Sequence, residues 1–188
     1  MDSETGCSQL SDNELIQLVK AGQNQAFDEL VTRYVRLCQA YFFRKVFDKE
    51  SARDLSQEVF VSLFHSVPRL AAESNFKAWL MTVCRNKFLD YLRSNKRREV
   101  VLERIEAQSP GIESAIVRSE MISQALKLLD PIQQEVMELK YMGDLNCQEI
   151  SKILEIPEGT VKSHLFYARK RLLEYFQDKE VEHEDSIA

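Results

Sequence analysis

Glycine and proline are scarce in this chain, five and four among 188 residues. That excludes the closely spaced turns of a β-sandwich or barrel and leaves intervals long enough for helices. Long apolar runs are missing as well. None approaches the roughly 18 residues of a membrane span, and MDSETGCSQL at the N-terminus lacks the basic flank and apolar stretch of a secretory signal. A cytoplasmic protein with no membrane insertion is therefore expected. Cysteine is sparse and scattered. Cys7, Cys38, Cys84 and Cys147 form no Cys-x-x-Cys pair and have no histidine at ligand spacing, so no metal site is expected. Cys38, Cys84 and Cys147 fall in apolar helical patterns and read as core-filling free thiols of a reducing compartment. Nor is there a nucleophile–base pair or a phosphate-binding glycine loop, and His65, His164 and His183 stand isolated. An enzyme is not expected: no catalytic residue, metal or cofactor is assigned.

The formal net charge of −5 argues on its face against nucleic acid, but its distribution does not. Beyond Arg171, Glu174, Asp178, Glu180, Glu182, Glu184 and Asp185 outweigh Lys179 and account for the whole excess. Between Arg85 and Arg98, by contrast, six bases (Arg85, Lys87, Arg93, Lys96, Arg97, Arg98) face the single acid Asp90. The average hides basic patches and an acidic tail.

What is present is helical periodicity, and its most informative stretch is Asp144 to Arg171. DLNCQEISKIL predicts a short helix with Cys147, Ile150 and Leu154 on one face. Pro157 ends it and suits the opening of the next helix. Gly159 is expected to relieve a tight turn, and Thr160 to cap the new helix or lie in its first turn. There Val161, Leu165, Ala168 and Leu172 form an apolar stripe. Lys162, Ser163, Phe166, Tyr167 and Lys170 fall on the other side, flanked by Arg169 and Arg171. A basic face carrying hydroxyls and aromatics on the second of two short helices suits the major groove. A plain helical hairpin with a solvated basic face is the alternative.

The rest divides into two helical domains. Residues 1–10 read as a leader and 11–98 as the first domain, in which Ser11 and Glu14 make a capping-box signature. A helix over Ala26–Arg44 should turn Phe27, Leu30, Val31, Tyr34, Leu37, Cys38 and Tyr41 inward. A third over Ser51–Val67 buries Leu55, Val59 and Leu63 and leaves Asp54, Gln57, Glu58 and Val61 together on another face. Acids so near a helix start also complement its dipole. Pro68 ends it, and Ser74 or Asn75 caps the next helix, which runs to about Asn95. On that helix Trp79, Thr82, Asn86 and Arg93 share a face. Trp79 reads equally as a core anchor or as a wall for an unpaired base. Residues 99–118 read as a flexible linker, 119–176 as the second domain, and 177–188 as a frayed acidic tail.

These stretches, in this order, resemble a bacterial RNA polymerase sigma factor of the sigma-70 family, extracytoplasmic-function (ECF) group. The resemblance covers nearly everything from Leu15 to Phe176. Asp54-Leu55-Ser56-Gln57-Glu58-Val59-Phe60 is similar to region 2.2, which implies that Asp54, Gln57, Glu58 and Val61 dock on core polymerase, with the clamp helices of the largest subunit and the flap as partners. Phe76 to Arg93 resembles regions 2.3 and 2.4. It implies −10 element contacts from Arg69, Ser74, Asn75, Trp79, Asn86, Arg93 and Arg97. Asp130-Pro131 to Tyr141 resembles region 4.1, and Asp144 to Arg171 resembles region 4.2. The latter implies −35 contacts from Thr160, Lys162, Ser163, His164, Phe166, Tyr167, Arg169, Lys170 and Arg171. Promoter DNA and an anti-sigma factor are the further implied partners, and a stress or envelope response the implied setting. The family's Gly or Arg–Gly before the tryptophan is replaced by Leu70-Ala71-Ala72. A free-standing helix-turn-helix regulator is the competing function. It would need a ligand pocket or a dimer helix where residues 51–98 offer bases and aromatics.

Overall fold

A computed structural model of the protein describes residues 7–70, 75–96 and 124–185. Every regular element among them is helical, and the chain divides into two compact units, Met1–Ala107 and Gln108–Ala188. The expected all-α class holds. Ser74, Arg97 and the linker 99–118 lie outside the described residues.

In the first unit three of the four described α-helices begin where a short polar side chain satisfies an open N–H group, and the one that follows Gln23 has no side-chain cap. α1 (Asp12–Lys20) carries the full capping box of Ser11 and Glu14. The hydrogen bonds from Ser11 to the Glu14 carboxylate hold that group below the usual carboxylate range. Gly22, at φ +86°, turns the chain into α2 (Asn24–Val46), which ends at the left-handed Phe47. α3 (Lys49–Ser66) starts earlier than the sequence suggests. Asp48 is its N-cap and accepts from the Ser51 N–H at 2.7 Å. Pro68 sits inside a 3-10 turn, Val67–Arg69, and the Lys20 ammonium donates to the Leu70 carbonyl beyond it at 2.5 Å. Asn75 accepts from the Ala78 N–H at 3.1 Å at the head of α4 (Phe76–Lys96).

The core of this unit joins Leu15 and Ile16 of α1, Leu30, Tyr41 and Phe42 of α2, Val59 and Leu63 of α3, and Leu80 and Met81 of α4, all fully buried. Burying each such side chain stabilises by about 1.5–3 kcal/mol. Of the residues expected inward on α2, Leu30, Cys38 and Tyr41 are buried, while Phe27, Val31, Tyr34 and Leu37 are half-buried. Arg33 ties the N-terminal stretch down. It donates to Asp12 at 3.1 Å, to Glu29 at 2.9 Å and to the carbonyls of Cys7 and Ser8.

The described part of the second unit begins with a helical turn at residues 124–127 and continues with α5 (Pro131–Tyr141), α6 (Cys147–Leu154) and α7 (Glu158–Asp185). Capping boxes start two of them, Asp130 with Gln133 and Asn146 with Glu149. Gly143 closes α5, and a Cβ there would stand 2.5 Å from the Leu139 carbonyl oxygen, so no larger residue fits this turn.

Three expectations are corrected. The turn between α6 and α7 is made by Glu155, left-handed at φ 57°, and not by Gly159, which lies inside the first turn of α7. The Ser151 hydroxyl holds that turn by donating to the Ile156 carbonyl at 2.6 Å. Thr160 lies in the first turn of α7, the second of the two positions expected for it. On α6 the buried face is Ile150, Ile153 and Leu154, and Cys147 is half-buried at its edge. Finally, the acidic tail begins as helix, since α7 continues to Asp185, and residues 186–188 lie outside the described residues. No Gly or Pro follows Gly159, and Glu, Lys and Gln are good helix formers.

Candidate nucleic-acid interface

α7 is divided lengthwise by the register of its sequence. Val161, Leu165 and Ala168 are buried and Leu172 half-buried against α5 and α6. About 100° per residue carries Lys162, Ser163, Phe166, Tyr167 and Lys170 to the opposite side, and all five are exposed there. Phe166 at 63% and Tyr167 at 57% exposure pack edge-to-face on each other, with ring centroids 5.4 Å apart. A free aromatic pair in water has no folding reason to be there.

In the unbound chain, the first-turn polar residues are occupied by their own helix. The Lys162 ammonium pairs with Glu158 at 2.7 Å, and this contact raises its pKa. The Ser163 hydroxyl donates to the Gly159 carbonyl at 3.0 Å. The flanking arginines lean on the body of the unit. Arg169 Nε donates to the Tyr141 hydroxyl at 2.6 Å with its guanidinium over that ring, and Arg171 donates to the Leu128 carbonyl at 2.9 Å. Thr160 and His164 are half-buried at the border of the face. Lys140 of α5 lines a groove with Lys162, Arg169 and Lys170. The sequence reading missed Lys140, because it falls outside the two short helices and only the packing of α5 against α7 brings it near.

In the first unit Asp54, Gln57, Glu58 and Val61 are all exposed on α3, opposite its buried Leu55, Val59 and Leu63. Exposed Phe64 borders them and meets Phe27 edge-on at 5.3 Å. Glu58 is not isolated: Lys87 of α4 pairs with it at 3.1 Å. On α4, Trp79 is half-buried and stacked on Phe76 at 6.1 Å, and Phe76 in turn meets Tyr34 at 5.2 Å. Asn86 is exposed one helical face away from the core. Arg93 is exposed and paired with Asp90 at 2.8 Å. Asn75 is exposed, but its side-chain oxygen serves as the helix cap. Arg69 is exposed on the 3-10 turn. Thr82 turns its hydroxyl to the Ala78 carbonyl at 2.8 Å. Among the described residues no group of three or more His, Cys, Asp or Glu could hold a metal ion, and no helix is long and apolar enough to cross a membrane.

Two helical units, the second bearing a helix-turn-helix with an exposed basic and aromatic second helix, define a DNA-reading transcription protein. Comparison with known proteins narrows the class. Residues 30–98 match the model of Sigma-70 region 2, and residues 119–172 match that of Sigma-70, region 4. The chain is 32% identical over 155 residues to the ECF RNA polymerase sigma factor SigM of Bacillus subtilis, covering 77% of this chain and 91% of that one. It is 27% identical over 182 residues to the RNA polymerase sigma-H factor of Pseudomonas aeruginosa, covering 88% and 93%. Among solved structures it shares its fold with CnrH, in complex with the cytosolic domain of CnrY, at TM-score 0.66, 23% identity and coverage of 89% and 97%. RpoE of Bartonella quintana, in complex with the anti-sigma factor NepR, gives TM-score 0.66, 23% identity and coverage of 80% and 96%. The chain belongs to the sigma-70 family, and within it to the ECF group. It is a sigma factor, a promoter-recognition subunit of RNA polymerase, and sigma factors are initiation factors, not enzymes.

Proposed function

We infer that three exposed surfaces divide the work of initiation in this chain. The α3 face of Asp54, Gln57, Glu58 and Val61 docks on the clamp helices of core polymerase. Trp79, Asn86, Arg93 and the capping end of α4 at Asn75, with Arg69 before it, meet the −10 element. Ser74 and Arg97 belong to the same proposed surface by sequence alone. The exposed face of α7 reads the −35 element in the major groove, with the polymerase flap supporting the second unit. On this reading residues 11–98 and 119–176 are the two working domains. The protein performs no chemistry and works in the cytoplasm.

The observation that carries the reading is α7 itself. Its readers lie on the side that the core does not use, and the sequence of that side suits base edges. Lysine donates to guanine O6 or N7, and an aromatic edge packs on a thymine methyl. The net-neutral body fits a subunit whose partner supplies much of the phosphate neutralisation.

Several relatives' names carry the ECF label, and one solved structure of the same fold is in complex with an anti-sigma factor. An envelope or stress signal and an anti-sigma factor are therefore proposed here as well. Run-off transcription with core polymerase and a promoter library randomised at both elements tests the whole reading. A single −10/−35 pair should emerge with the protein and none without it. Transcription that selects no −35 sequence would overturn the role given to α7.

A further inference from the structure

Cys38 of α2 and Cys84 of α4 are 46 positions apart in sequence, yet their sulfurs meet at 3.7 Å. Both are fully buried. Neither has a part in docking or DNA reading, and Cys7 and Cys147 are only half-buried. The contact is the one place among the described residues where two sulfurs meet. A disulfide bond is about 2.05 Å long, so closing this pair takes an approach of about 1.7 Å, within the reach of two side-chain rotations and a small helix shift.

We propose that Cys38 and Cys84 are a modification site: a latent disulfide that a peroxide closes across α2 and α4. The chemistry balances. One sulfur, as thiolate, attacks a peroxide oxygen; the O–O bond breaks, and the departing hydroxide takes a proton to become water. The sulfenic acid left behind is attacked by the second sulfur, the S–O bond breaks, and a second water leaves. Two thiols lose two electrons and two protons, and one hydrogen peroxide becomes two waters.

The Cys38 contact, and after it burial, push the Cys84 thiol up and hold it protonated. Closure in the native fold is therefore slow and follows local opening of the α2–α4 seam. Its consequence falls on α4, because Cys84 lies between Trp79 and Asn86. Packed interiors do not deform continuously, so drawing Cys84 toward α2 displaces the face that holds those two residues. This second step rests on the −10 reading of α4 and the first does not.

The full-length protein is treated with hydrogen peroxide under non-reducing conditions, digested, and weighed. A peptide pair joining Cys38 to Cys84, lighter by two hydrogens and split by dithiothreitol, is expected. Cys38→Ser and Cys84→Ser should each abolish the pair, and the measurement on the natural chain stands even where a variant folds poorly. Both cysteines remaining thiols, or going singly to sulfinic acid, would overturn the site. The same oxidised sample is then given core polymerase and promoter. It should still associate with core through α3 while promoter opening falls severalfold and recovers on reduction. A proven cross-link with unchanged opening would overturn the effect on α4 and leave the site.

Discussion

Lys162 is held by Glu158 in the unbound protein, so the residue best placed to read a base must first leave a partner. An exposed pair of this kind contributes little and gives way readily to a charge-assisted contact with guanine. Lys162→Ala should change the preferred −35 sequence, with a discrimination loss of about 1–3 kcal/mol at one base pair. Transcription from a −35 library reads this directly, and an equal fall on every promoter would contradict it. Arg171 behaves differently. At the flank of the reading face it is placed to meet phosphate rather than a base edge, but its guanidinium also donates to the Leu128 carbonyl. Arg171→Ala should weaken all promoters alike and cost the second unit about 1 kcal/mol, visible as a lower thermal midpoint of the free protein. A third test concerns Tyr34, whose hydroxyl donates to Asp12. Burial first, and then that hydrogen bond, push its pKa above the ordinary value near 10. The folded state thus favours the neutral phenol. Its contribution is complete below pH 10 and fades as the unfolded chain ionises above that value. The stability gap between the natural chain and Tyr34→Phe, measured by thermal melts, should narrow from pH 8 to pH 11.

At the scale of elements, the α3 face can be tested without touching the fold. Asp54 and Val61 are exposed, and among the described residues Asp54 forms no ion pair of the kind that binds Glu58 to Lys87. Asp54→Arg with Val61→Arg should weaken association with core polymerase by about 2–5 kcal/mol, with circular dichroism unchanged. Retained binding in a pull-down would remove the face from the interface. Helix positions were largely legible in the sequence, because apolar spacing and Pro or Gly punctuation are local. The capping box at Ser11 shows how far that goes. The same rule, applied to Asp130 with Gln133 and to Asn146 with Glu149, marks the caps of two further helices that were expected from apolar spacing and proline alone. What local pattern could not give was the turn at Glu155. A residue with a Cβ takes the left-handed conformation there while Gly159, two positions past Pro157, stays helical. Nor could it give Lys140 beside the reading face, the Glu58–Lys87 pair or the sulfur contact of Cys38 and Cys84. Each depends on packing between elements remote in sequence.

For the whole molecule the decisive quantity is where charge lies, not its sum. The acids after Gln177 lengthen α7 beyond the last core residue of its stripe, and their field opposes that of DNA. Deleting residues 178–188 should leave promoter selection intact and slightly strengthen transcription at low salt. A loss of transcription at normal protein levels would assign those residues a docking or regulatory role. The lengthwise division of α7 has a wider consequence. Val161, Leu165 and Ala168 are buried and answer to the fold, while Lys162, Ser163, Phe166 and Tyr167 are exposed on the other side. Two alphabets are written on one helix. Mutational drift on the outer side escapes quality control by folding, so paralogues can part company over their target genes within a few substitutions. An engineer can rewrite the same four positions to build mutually blind regulators from a single scaffold.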